Sequence, residues 1–279
     1  MRIRANAKIN LTLDITGKRS DGYHILDSIM QSVTLCDIID IKSKDTISVF
    51  CDTGDIDEQN NICYKAAKAF FAHTDIKGGA QISIKKQIPL SAGMGGGSAD
   101  AAAVICALDR LYAAHLSKQE INKICLSVGA DVPFCAIGGT ARVGGIGEIV
   151  EPIKNIPECV FVLVKNSDKQ STADMYKKID AMNMPPYTTQ AAVDAINNGD
   201  ISELCKNITN HFSLVSHDDV LLADMGETNP MALSLSGSGP TVFAMYSDMT
   251  VAQAAAQALL HKGYSPIIAM PATSGVVFE

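Results

Sequence analysis

The chain has 279 residues, of which 47% are hydrophobic and 19% are charged, and its formal net charge is −7. This length is enough for one large domain or two ordinary ones, and the composition is typical of a globular protein. The acidic charge argues against nucleic-acid binding, and no apolar stretch approaches the roughly 20 residues that span a membrane. Because the N-terminal segment also lacks the apolar core of a secretion signal, we expect a cytoplasmic protein.

The cysteines and histidines of the chain are scattered. Its eight cysteines form no C-x-x-C pair, and its six histidines are isolated from one another. Cysteines in a reducing compartment usually remain thiols, and no zinc-ligand spacing is present. We therefore expect free thiols and no metal site made from protein side chains alone.

The first third of the chain alternates between strand and helix patterns. Alternating apolar residues predict strands at 9–15, 38–41, 47–50 and 80–88. Apolar residues at helical spacing predict a helix at 61–72 between the third and fourth of these strands.

A glycine-rich segment follows the fourth strand. It reads PLSAGMGGGSADAAA over residues 89–103, with four glycines in five positions. Glycine lets the backbone adopt positive φ and approach a ligand closely. The helix pattern that begins at Ser98 adds unpaired N–H groups and a positive dipole end, both of which attract anions. The Ser98 hydroxyl can cap this helix or turn toward a phosphate or metal ion.

Two common phosphate-binding motifs do not match this segment. No lysine follows the glycines as in a P-loop, and Ser98 stands where the dinucleotide fingerprint needs glycine or alanine. The segment therefore predicts a phosphate-binding loop of another class, and the alternative is a tight strand-to-helix turn that binds nothing.

The remaining patterns predict a second α+β half. A capping box at residues 117–120 opens a helix that ends near residue 128. Beyond it, the patterns predict strands at 160–164, 231–235, 242–246 and 264–270, and helices at 171–181, 188–197, 200–207 and 250–261. We divide the chain into two closely packed domains, residues 1–152 and 153–279.

Lys8 and Asp131 are candidates for chemistry. Lys8 and Asn10 share one face of the first strand, because side chains alternate with period two. Asp131 lies in an otherwise apolar stretch, where an unpaired carboxylate would be costly. A lysine partner would keep Asp131 ionised and able to accept a hydroxyl proton. The alternative is an ordinary structural ion pair.

Three segments together resemble one known family. The motif P-x-x-A-G-x-G-G-G-S-x-D-A-A-A in residues 89–103 resembles the ATP-phosphate loop of the GHMP kinases, which include galactose, homoserine, mevalonate and phosphomevalonate kinases. Residues 7–13 resemble the first motif of that family, and residues 235–244 its third. The resemblance implies an α+β, two-domain GHMP kinase fold. Its N-terminal domain would be ribosomal protein S5 domain 2-like, its C-terminal domain ferredoxin-like, and its phosphate donor ATP with Mg2+.

Four further segments resemble one branch of the family. They are residues 18–24, 129–134, 144–148 and 171–176. The resemblance implies phosphorylation of the 2-hydroxyl of a cytidyl sugar-alcohol, in the non-mevalonate isoprenoid pathway. The alternatives are another small-molecule kinase, of the homoserine or mevalonate type, and a non-catalytic ligand sensor.

Small departures from the family pattern occur in and near the loop. Met94 replaces a frequent leucine, Ala99 a frequent serine, and Ile146 a frequent arginine. The change at Ala99 removes one possible phosphate-binding hydroxyl, and none of the three removes a group assigned to chemistry.

The acceptor-side roles are implied by the resemblance. It assigns Lys8 and Asp131 as the catalytic pair and Asn10 as a substrate contact. The ring of Tyr23 would stack on the base and the imidazole of His24 would hydrogen-bond its edge, as their chemistry allows. Tyr176, from the second domain, would close the other side of the base, and its alternative role is packing in a helix core.

The donor-side contacts are also implied by the resemblance. They are Pro89, Leu90, Ser91, Ala92, Gly93, Met94, Gly95, Gly96, Gly97 and Ser98 in the loop, and Asn61 at a helix start. Asparagine is equally common as a helix cap, which is the alternative for Asn61. As partners we expect the small-molecule substrate, no nucleic acid and no membrane, in a monomer or homodimer.

Overall fold

The computed structural model describes residues 1–54, 58–166 and 169–279. The first half holds six strands, β1 Arg2–Lys18, β2 His24–Lys44, β3 Ser48–Cys51, β4 Gly79–Lys85, β5 Thr140–Gly145 and β6 Ile149–Pro152. Its helices are α1 Ile62–Thr74, α2 Gly96–Leu111, α3 Lys118–Val128 and α4 Val132–Ile137. A short 3-10 turn, Glu58–Asn60, precedes α1.

The second half holds the remaining elements. Its strands are β7 Val160–Lys165, β8 Ala232–Leu235, β9 Thr241–Tyr246, β10 Ile267–Ala269 and β11 Val276–Phe278. Its helices are α5 Thr172–Ile179, α6 Thr189–Asn198, α7 Ile201–Lys206, α8 Asp219–Gly226 and α9 Met249–His261. A 3-10 turn, His211–Leu214, lies between α7 and α8.

Two sheets organise the chain. The larger sheet has seven strands in the order β11-β1-β2-β4-β3, with β5 paired to β2 and β6 paired to β5. The long strand β2 makes this branching possible, because residues 26–31 pair with β5 and residues 38–44 pair with β4. The smaller sheet is antiparallel in the order β10-β7-β9-β8. This mixture of sheets and helices confirms the predicted α+β class.

Each sheet buries a hydrophobic cluster. The larger cluster includes Ile39, Ile82, Phe70 and Leu108 of the first sheet and its helices, and it extends to Phe161 and Phe243 of the second sheet. The smaller cluster surrounds the second sheet, and it also takes in Leu13 from the first strand. The strand β1 therefore contributes side chains to both clusters, which anchors the residues around Lys8 and Asn10 between them. The domain boundary near residue 152 stays a prediction.

Most predicted elements have a counterpart at similar bounds. The helix predicted at 61–72 is α1, the helix opened by the capping box at 117–120 is α3, and the strand predicted at 160–164 is β7. The strands of the first sheet extend further than the apolar alternation indicates, because β1 and β2 continue to the turn that joins them. The short elements α4, α8, β5, β6 and β11 had no predicted counterpart.

One predicted strand ends earlier than expected. The pattern predicts a strand at 80–88, but β4 ends at Lys85. The backbone N–H groups of Gln87 and Ile88 donate to the carboxylate of Asp37 at 2.6 and 2.8 Å, so they are unavailable to a neighbouring strand. The side chain of Ile88 is nevertheless buried in the core, which explains its apolar character.

The eight cysteines are all free thiols, as the sequence predicted. Within the described residues, the structure contains no helix whose length and hydrophobicity would let it cross a lipid bilayer.

Candidate active site

A cleft of about 450 Å³ lies between the glycine-rich loop and the second half of the chain. The loop residues that line it are Pro89, Leu90, Ser91, Ala92, Gly93, Gly95, Gly96, Gly97 and Ser98. Nine of the ten loop residues predicted to contact ATP therefore face one cavity. The exception is Met94, whose side chain is buried and whose carbonyl accepts the backbone N–H of Lys8 at 3.0 Å.

The loop backbone adopts the conformation that glycine permits. Gly93 has φ of +76° and Gly95 has φ of +68°, in the left-handed region that other residues rarely adopt. Gly95 is the N-cap of α2, so this helix begins at Gly96, two residues before the predicted start. Ser98 consequently lies inside the first turn and does not cap the helix. Of the two roles considered for its hydroxyl, only the contact with a phosphate or metal ion stays a prediction. The helix α2 is 16 residues long, and its first turn borders the cleft. The backbone N–H groups at this end of a helix have no partner within the helix and carry the positive end of its dipole.

The third glycine motif supports this loop. The hydroxyl of Ser236 donates to the carbonyl of Gly93 at 3.1 Å and accepts the backbone N–H of Asn10 at 3.4 Å. A Cβ atom placed on Gly93 would lie 2.5 Å from the carbonyl oxygen of Ser236. The three segments that resemble family motifs therefore meet at the Ser236 hydroxyl, although more than 140 residues separate Gly93 from it.

Lys8 and Asp131 lie side by side in the cleft. Their Nζ and Oδ2 atoms are 3.4 Å apart, and the side chains are 5% and 34% exposed, respectively. The Lys8 ammonium also donates to Asn10 Oδ1 at 2.7 Å, and Asn10 Nδ2 donates to the hydroxyl of Ser28 at 2.9 Å. Lys8 is thus held by a buried polar chain, whereas Asp131 remains open to a ligand. The apolar residues around Asp131 in the sequence predicted a more deeply buried carboxylate than the structure has.

Irregularities in the pairing of β1 determine the direction of the Lys8 and Asn10 side chains. The pairing of β1 with β2 shifts register between Asn6 and Lys8 and again between Asn10 and Thr12. Such bulges turn a strand locally and redirect the side chains beside them. Lys8 and Asn10 therefore occupy a short regular stretch between two bulges, and both line the cleft.

A buried ion cluster lies beneath the loop. Lys86 Nζ contacts a carboxylate oxygen of Asp37 and donates to Asp100 Oδ2 at 2.7 Å. Burial alone would lower the pKa of Lys86, but the carboxylates of Asp100 and Asp37 outweigh it and raise that pKa. Burial raises the pKa of Asp100 well above its ordinary value, and Lys86 offsets only part of the effect. The cluster joins β2, the segment before the loop, and α2.

Of the three residues predicted to bind a base, Tyr176 lines the cleft, whereas Tyr23 and His24 are not among the described residues that line it. The rings of His24 and Tyr176 stack with centroids 4.1 Å apart and an 8° angle between their planes. His24 Nε2 lies 2.6 Å from Asp180 Oδ1, and Lys18 Nζ lies 2.5 Å from the other oxygen of that carboxylate. Tyr23 is 61% exposed and does not take part in this stack.

This stack has consequences for the predicted base contacts. Because His24 and Tyr176 contact each other face to face, no base fits between those two rings in this arrangement. The Nε2 atom of His24 is occupied by Asp180, which leaves Nδ1 for a ligand. Tyr176 lines the cleft and also packs edge-on against Phe212 at 4.9 Å. Burial raises the pKa of Tyr176 to about 12, so its hydroxyl stays protonated.

Asn61 is a helix cap, which is the alternative to the adenosine contact. It is the N-cap of α1, and its Oδ1 accepts the backbone N–H of Cys63 at 2.9 Å. Its side chain is buried, and the neighbouring Ile62 lines the cleft in its place. The adenosine contact proposed for Asn61 therefore stays a prediction.

Several residues that line the cleft were not predicted from the sequence as site residues. They are Lys86, Ala130, Lys169, Thr172, Phe212, Gly237 and Ser238, among others. Thr172 Oγ1 and Ser238 Oγ lie 2.7 Å apart, which joins the start of α5 to the third glycine motif. The only sequence signal for Lys169 was its place, just after a buried strand and just before a helix, where functional side chains often occur.

Two protein-family models match this chain. The model for the GHMP kinases N terminal domain matches residues 61–139, and the model for the GHMP kinases C terminal matches residues 192–265. The two matches together include the glycine-rich loop and Asp131.

Individual relatives cover nearly the whole chain. A protein of Clostridium perfringens named 4-diphosphocytidyl-2-C-methyl-D-erythritol kinase is 40% identical over 271 residues, which is 94% of each chain. A protein of Thermoanaerobacter pseudethanolicus with the same name is 39% identical over 256 residues, covering 89% of this chain and 88% of its own.

Solved structures share the architecture. A crystal structure of 4-(cytidine 5'-diphospho)-2C-methyl-D-erythritol kinase matches with a TM-score of 0.79 and 26% identity, covering 97% of this chain and 99% of its own. A homoserine kinase from Cytophaga hutchinsonii also matches with a TM-score of 0.79, over 99% of this chain and 96% of its own. At 15% identity, the latter match indicates a common fold alone.

Proposed function

Because this chain belongs to the GHMP kinase family, we propose that it transfers the γ-phosphate of ATP to the 2-hydroxyl of 4-diphosphocytidyl-2-C-methyl-D-erythritol. The names of relatives that are about 40% identical over nearly the whole chain support this acceptor. The observation that carries the proposal is that the Lys8–Asp131 pair opens into the same cleft as the glycine-rich loop. Phosphoryl transfer needs a phosphate cradle and a proton acceptor together, and here both face one cavity.

The loop from Pro89 to Ser98 is proposed to hold the phosphates of ATP. Phosphate oxygens accept hydrogen bonds from unpaired backbone N–H groups, and the N-terminus of α2 supplies such groups beside the positive end of the helix dipole. The absence of side chains at Gly95 and Gly96 allows the phosphates to approach the backbone. A Cβ atom on Gly95 would also come within 2.9 Å of Lys8 Cγ, so glycine there keeps the lysine in place.

Asp131 is proposed to accept the proton of the acceptor hydroxyl. As that proton moves to the Asp131 carboxylate, the hydroxyl oxygen forms a bond to the γ-phosphorus, and the bond from this phosphorus to the bridging oxygen breaks to release ADP. Lys8, whose ammonium lies 3.4 Å from that carboxylate, would stabilise the negative charge on the transferred group. Asn10 and Ser28 hold the Lys8 ammonium in position, and their hydrogen bonds are buried.

Mg2+ fits this site as a companion of ATP. Among the described residues, no group of three or more histidine, cysteine, aspartate or glutamate side chains could hold a metal ion. Magnesium commonly binds through substrate phosphates and waters with one or two protein groups, and the Ser98 hydroxyl in the cleft is the group that would contribute. When bound, the ion would neutralise phosphate charge.

Tyr23, His24 and Tyr176 are proposed to bind the cytosine end of the acceptor. Tyr23 is free to stack on a base because its ring is exposed. The His24–Tyr176 stack, fixed by Asp180, forms a flat wall that could hold the base edge through His24 Nδ1. The carbonyl or amino group of the base, and not the sugar, would then distinguish this acceptor from homoserine or mevalonate.

The test of the acceptor is a coupled assay of ADP release. The purified protein would be given ATP, Mg2+ and one of three alcohols, namely the cytidyl compound, homoserine or mevalonate. We expect kcat/KM for the cytidyl compound to exceed that for the others by on the order of 10³ or more, because a site built for polar contacts discriminates strongly against a ligand that lacks them. A preference for homoserine or mevalonate would replace the proposed acceptor, and no ADP release with any alcohol would favour a ligand sensor.

We further propose that the protein works in the cytoplasm, without nucleic acid, as a monomer or homodimer. The net charge of −7 supports the lack of a nucleic-acid partner. Sedimentation equilibrium would distinguish a monomer from a homodimer, and a shift of labelled DNA or RNA by the protein would contradict this proposal.

A further inference from the structure

Lys169 is a cation in the cleft that no carboxylate of the described residues balances. It lies between β7 and α5, and it lines the same cavity as the glycine-rich loop and the Lys8–Asp131 pair. The two other lysines that line the cleft are compensated, Lys8 by Asp131 and Lys86 by two buried aspartates. Across the part of the chain that the structure describes, Lys169 makes neither a hydrogen bond nor an ion pair. Its charge therefore remains available to a ligand.

The electrostatic surroundings of Lys169 favour an anion. Partial desolvation lowers the pKa of its ammonium, and the nearby charge of Lys8 lowers it further, while Asp131 acts in the opposite direction. Asp131 is the only acidic residue among the described residues that line the cleft, and it already lies against Lys8. An anionic ligand between the loop and this pair would relieve the repulsion between the two lysines.

The backbone around Lys169 is fixed close to the loop. The helix α5 begins three residues later, and Thr172 at its start contacts Ser238 through their hydroxyls at 2.7 Å. Ser238 belongs to the third glycine motif, which packs on Gly93. On the other side, Lys165 at the end of β7 donates to the carbonyl of Leu90 at 2.8 Å. Both flanks of Lys169 are thus held to the loop.

We propose that Lys169 binds a phosphate oxyanion between the glycine-rich loop and the Lys8–Asp131 pair. Lysine suits this task because its compact charge sits on a flexible stem and can follow an oxyanion as its position changes. This inference rests on the proposed function for the source of the phosphate, which is either the γ-phosphate of ATP or the diphosphate of the cytidyl acceptor. The chemistry of the contact is the same for both, and the experiment separates them.

The test compares three variants of the full-length protein. Lys169→Met removes the charge with little change of length, Lys169→Arg keeps it, and Lys178→Met removes an exposed lysine of α5 as a matched control. Isothermal titration would measure Kd for ADP, CDP and inorganic pyrophosphate. Steady-state assays would measure KM for ATP and for the acceptor.

We expect Lys169→Met to weaken binding of pyrophosphate and of one nucleotide by about 10- to 100-fold, the range for a lost charged hydrogen bond. A selective loss for ADP would assign the donor phosphates, and a selective loss for CDP would assign the acceptor diphosphate. Lys169→Arg should recover most of the affinity, and Lys178→Met should bind like the original protein.

Two results would overturn the inference. One is equal Kd values for all three ligands in Lys169→Met and Lys178→Met, and the other is no binding of any of them by the original protein. Failure of the proposed function gives a different pattern, in which the cytidyl compound is not phosphorylated although the loss of ADP or pyrophosphate binding in Lys169→Met persists.

Discussion

The hydroxyl of Ser236 donates to the carbonyl of Gly93 at 3.1 Å, which joins the third glycine motif to the glycine-rich loop. The same hydroxyl accepts the backbone N–H of Asn10, beside Lys8. Gly93 has φ of +76°, and no other side chain fits beside Ser236, because a Cβ atom would meet the carbonyl oxygen of that residue at 2.5 Å. The shape of the glycine-rich loop thus depends on a segment from the other half of the chain.

Substitution of Gly93 by alanine should damage both stability and ATP binding. Gly199→Ala is the matched control, since Gly199 has φ of +70° and open space around its Cβ position. We expect Gly199→Ala to cost about 1 kcal/mol of unfolding free energy, the strain of the left-handed region. Gly93→Ala should cost about 1–3 kcal/mol more, from the clash, and should raise KM for ATP. Urea unfolding and steady-state kinetics would measure these effects, and equal costs in the two variants would contradict the contact argument.

Asp131→Asn should abolish most turnover and leave the fold intact. Removal of a proton acceptor typically lowers kcat by about 10²- to 10⁴-fold. The side chain of Asp131 is 34% exposed, and Lys8 keeps its hydrogen bond to Asn10. Unfolding free energy should therefore change by less than about 1 kcal/mol. Asp194→Asn, on the exposed face of α6, is the control, and near-normal kcat in Asp131→Asn would remove the assigned role.

Asp180→Asn should act on the acceptor alone. The carboxylate of Asp180 holds both His24 and Lys18, and these contacts lower its pKa. Without that charge the His24–Tyr176 stack loses its anchor, so we expect KM for the cytidyl compound to rise about 10-fold. Tyr23→Ala should also raise that KM, through lost stacking.

KM for ATP is the control measurement for both of these variants. KM for ATP should stay constant in both Asp180→Asn and Tyr23→Ala, because neither residue lies on the glycine-rich loop. A rise in KM for ATP of the same size as that for the acceptor would show that the base site has been assigned to the wrong end of the cleft.

The two aspartates around Lys86 should differ in importance. Asp37 accepts two backbone N–H groups in addition to the ammonium, whereas Asp100 Oδ1 is buried and finds no hydrogen-bond partner among the described residues. Loss of the charge at Asp37 should cost about 3 kcal/mol or more, as for other broken buried pairs. Asp100→Asn should cost about 1 kcal/mol, because burial already disfavours its charged form. Urea unfolding of Asp37→Asn and Asp100→Asn would compare them, and the opposite order would refute this account.

The buried His211 should make stability depend on pH. Its Nδ1 accepts the backbone N–H of Ile15 at 3.0 Å, and its Nε2 faces Asp14 at 3.3 Å. Burial lowers the pKa of His211 below its ordinary value of 6.5, although Asp14 opposes this. The unfolded chain therefore binds the extra proton first as pH falls below about 6.5. The contribution of His211 is complete above that pH and is lost below it, by up to about 1.4 kcal/mol per pH unit.

Unfolding at pH 7.5 and pH 5.5 would measure this dependence. His211→Gln should lose less stability between the two pH values than the original protein, and the exposed His261→Gln should behave like the original. An unchanged pH dependence in His211→Gln would show that His211 does not titrate differently in the folded chain.

The sequence alone was enough for the local elements and for the loop. The α+β class, the capping box at Ser117 and the cluster of glycines before α2 follow from side-chain period, hydrogen-bonding capacity and backbone freedom over a few residues. The face shared by Lys8 and Asn10 follows from strand geometry in the same way. Such patterns are local, so they need no knowledge of what packs against them.

Only the tertiary structure decided where these pieces meet. The contacts of Ser236 with Asn10 and Gly93 and the stack of His24 on Tyr176 join residues up to 226 positions apart. The bulges of β1 arise from its pairing with β2. The early end of β4 likewise depends on Asp37, about 50 residues before it. No local pattern records these pairings, because they arise when distant segments satisfy one another's buried polar groups. Lys169 stands out for the same reason, since the assembled cleft brings it near Lys8, and none of the described carboxylates forms an ion pair with it.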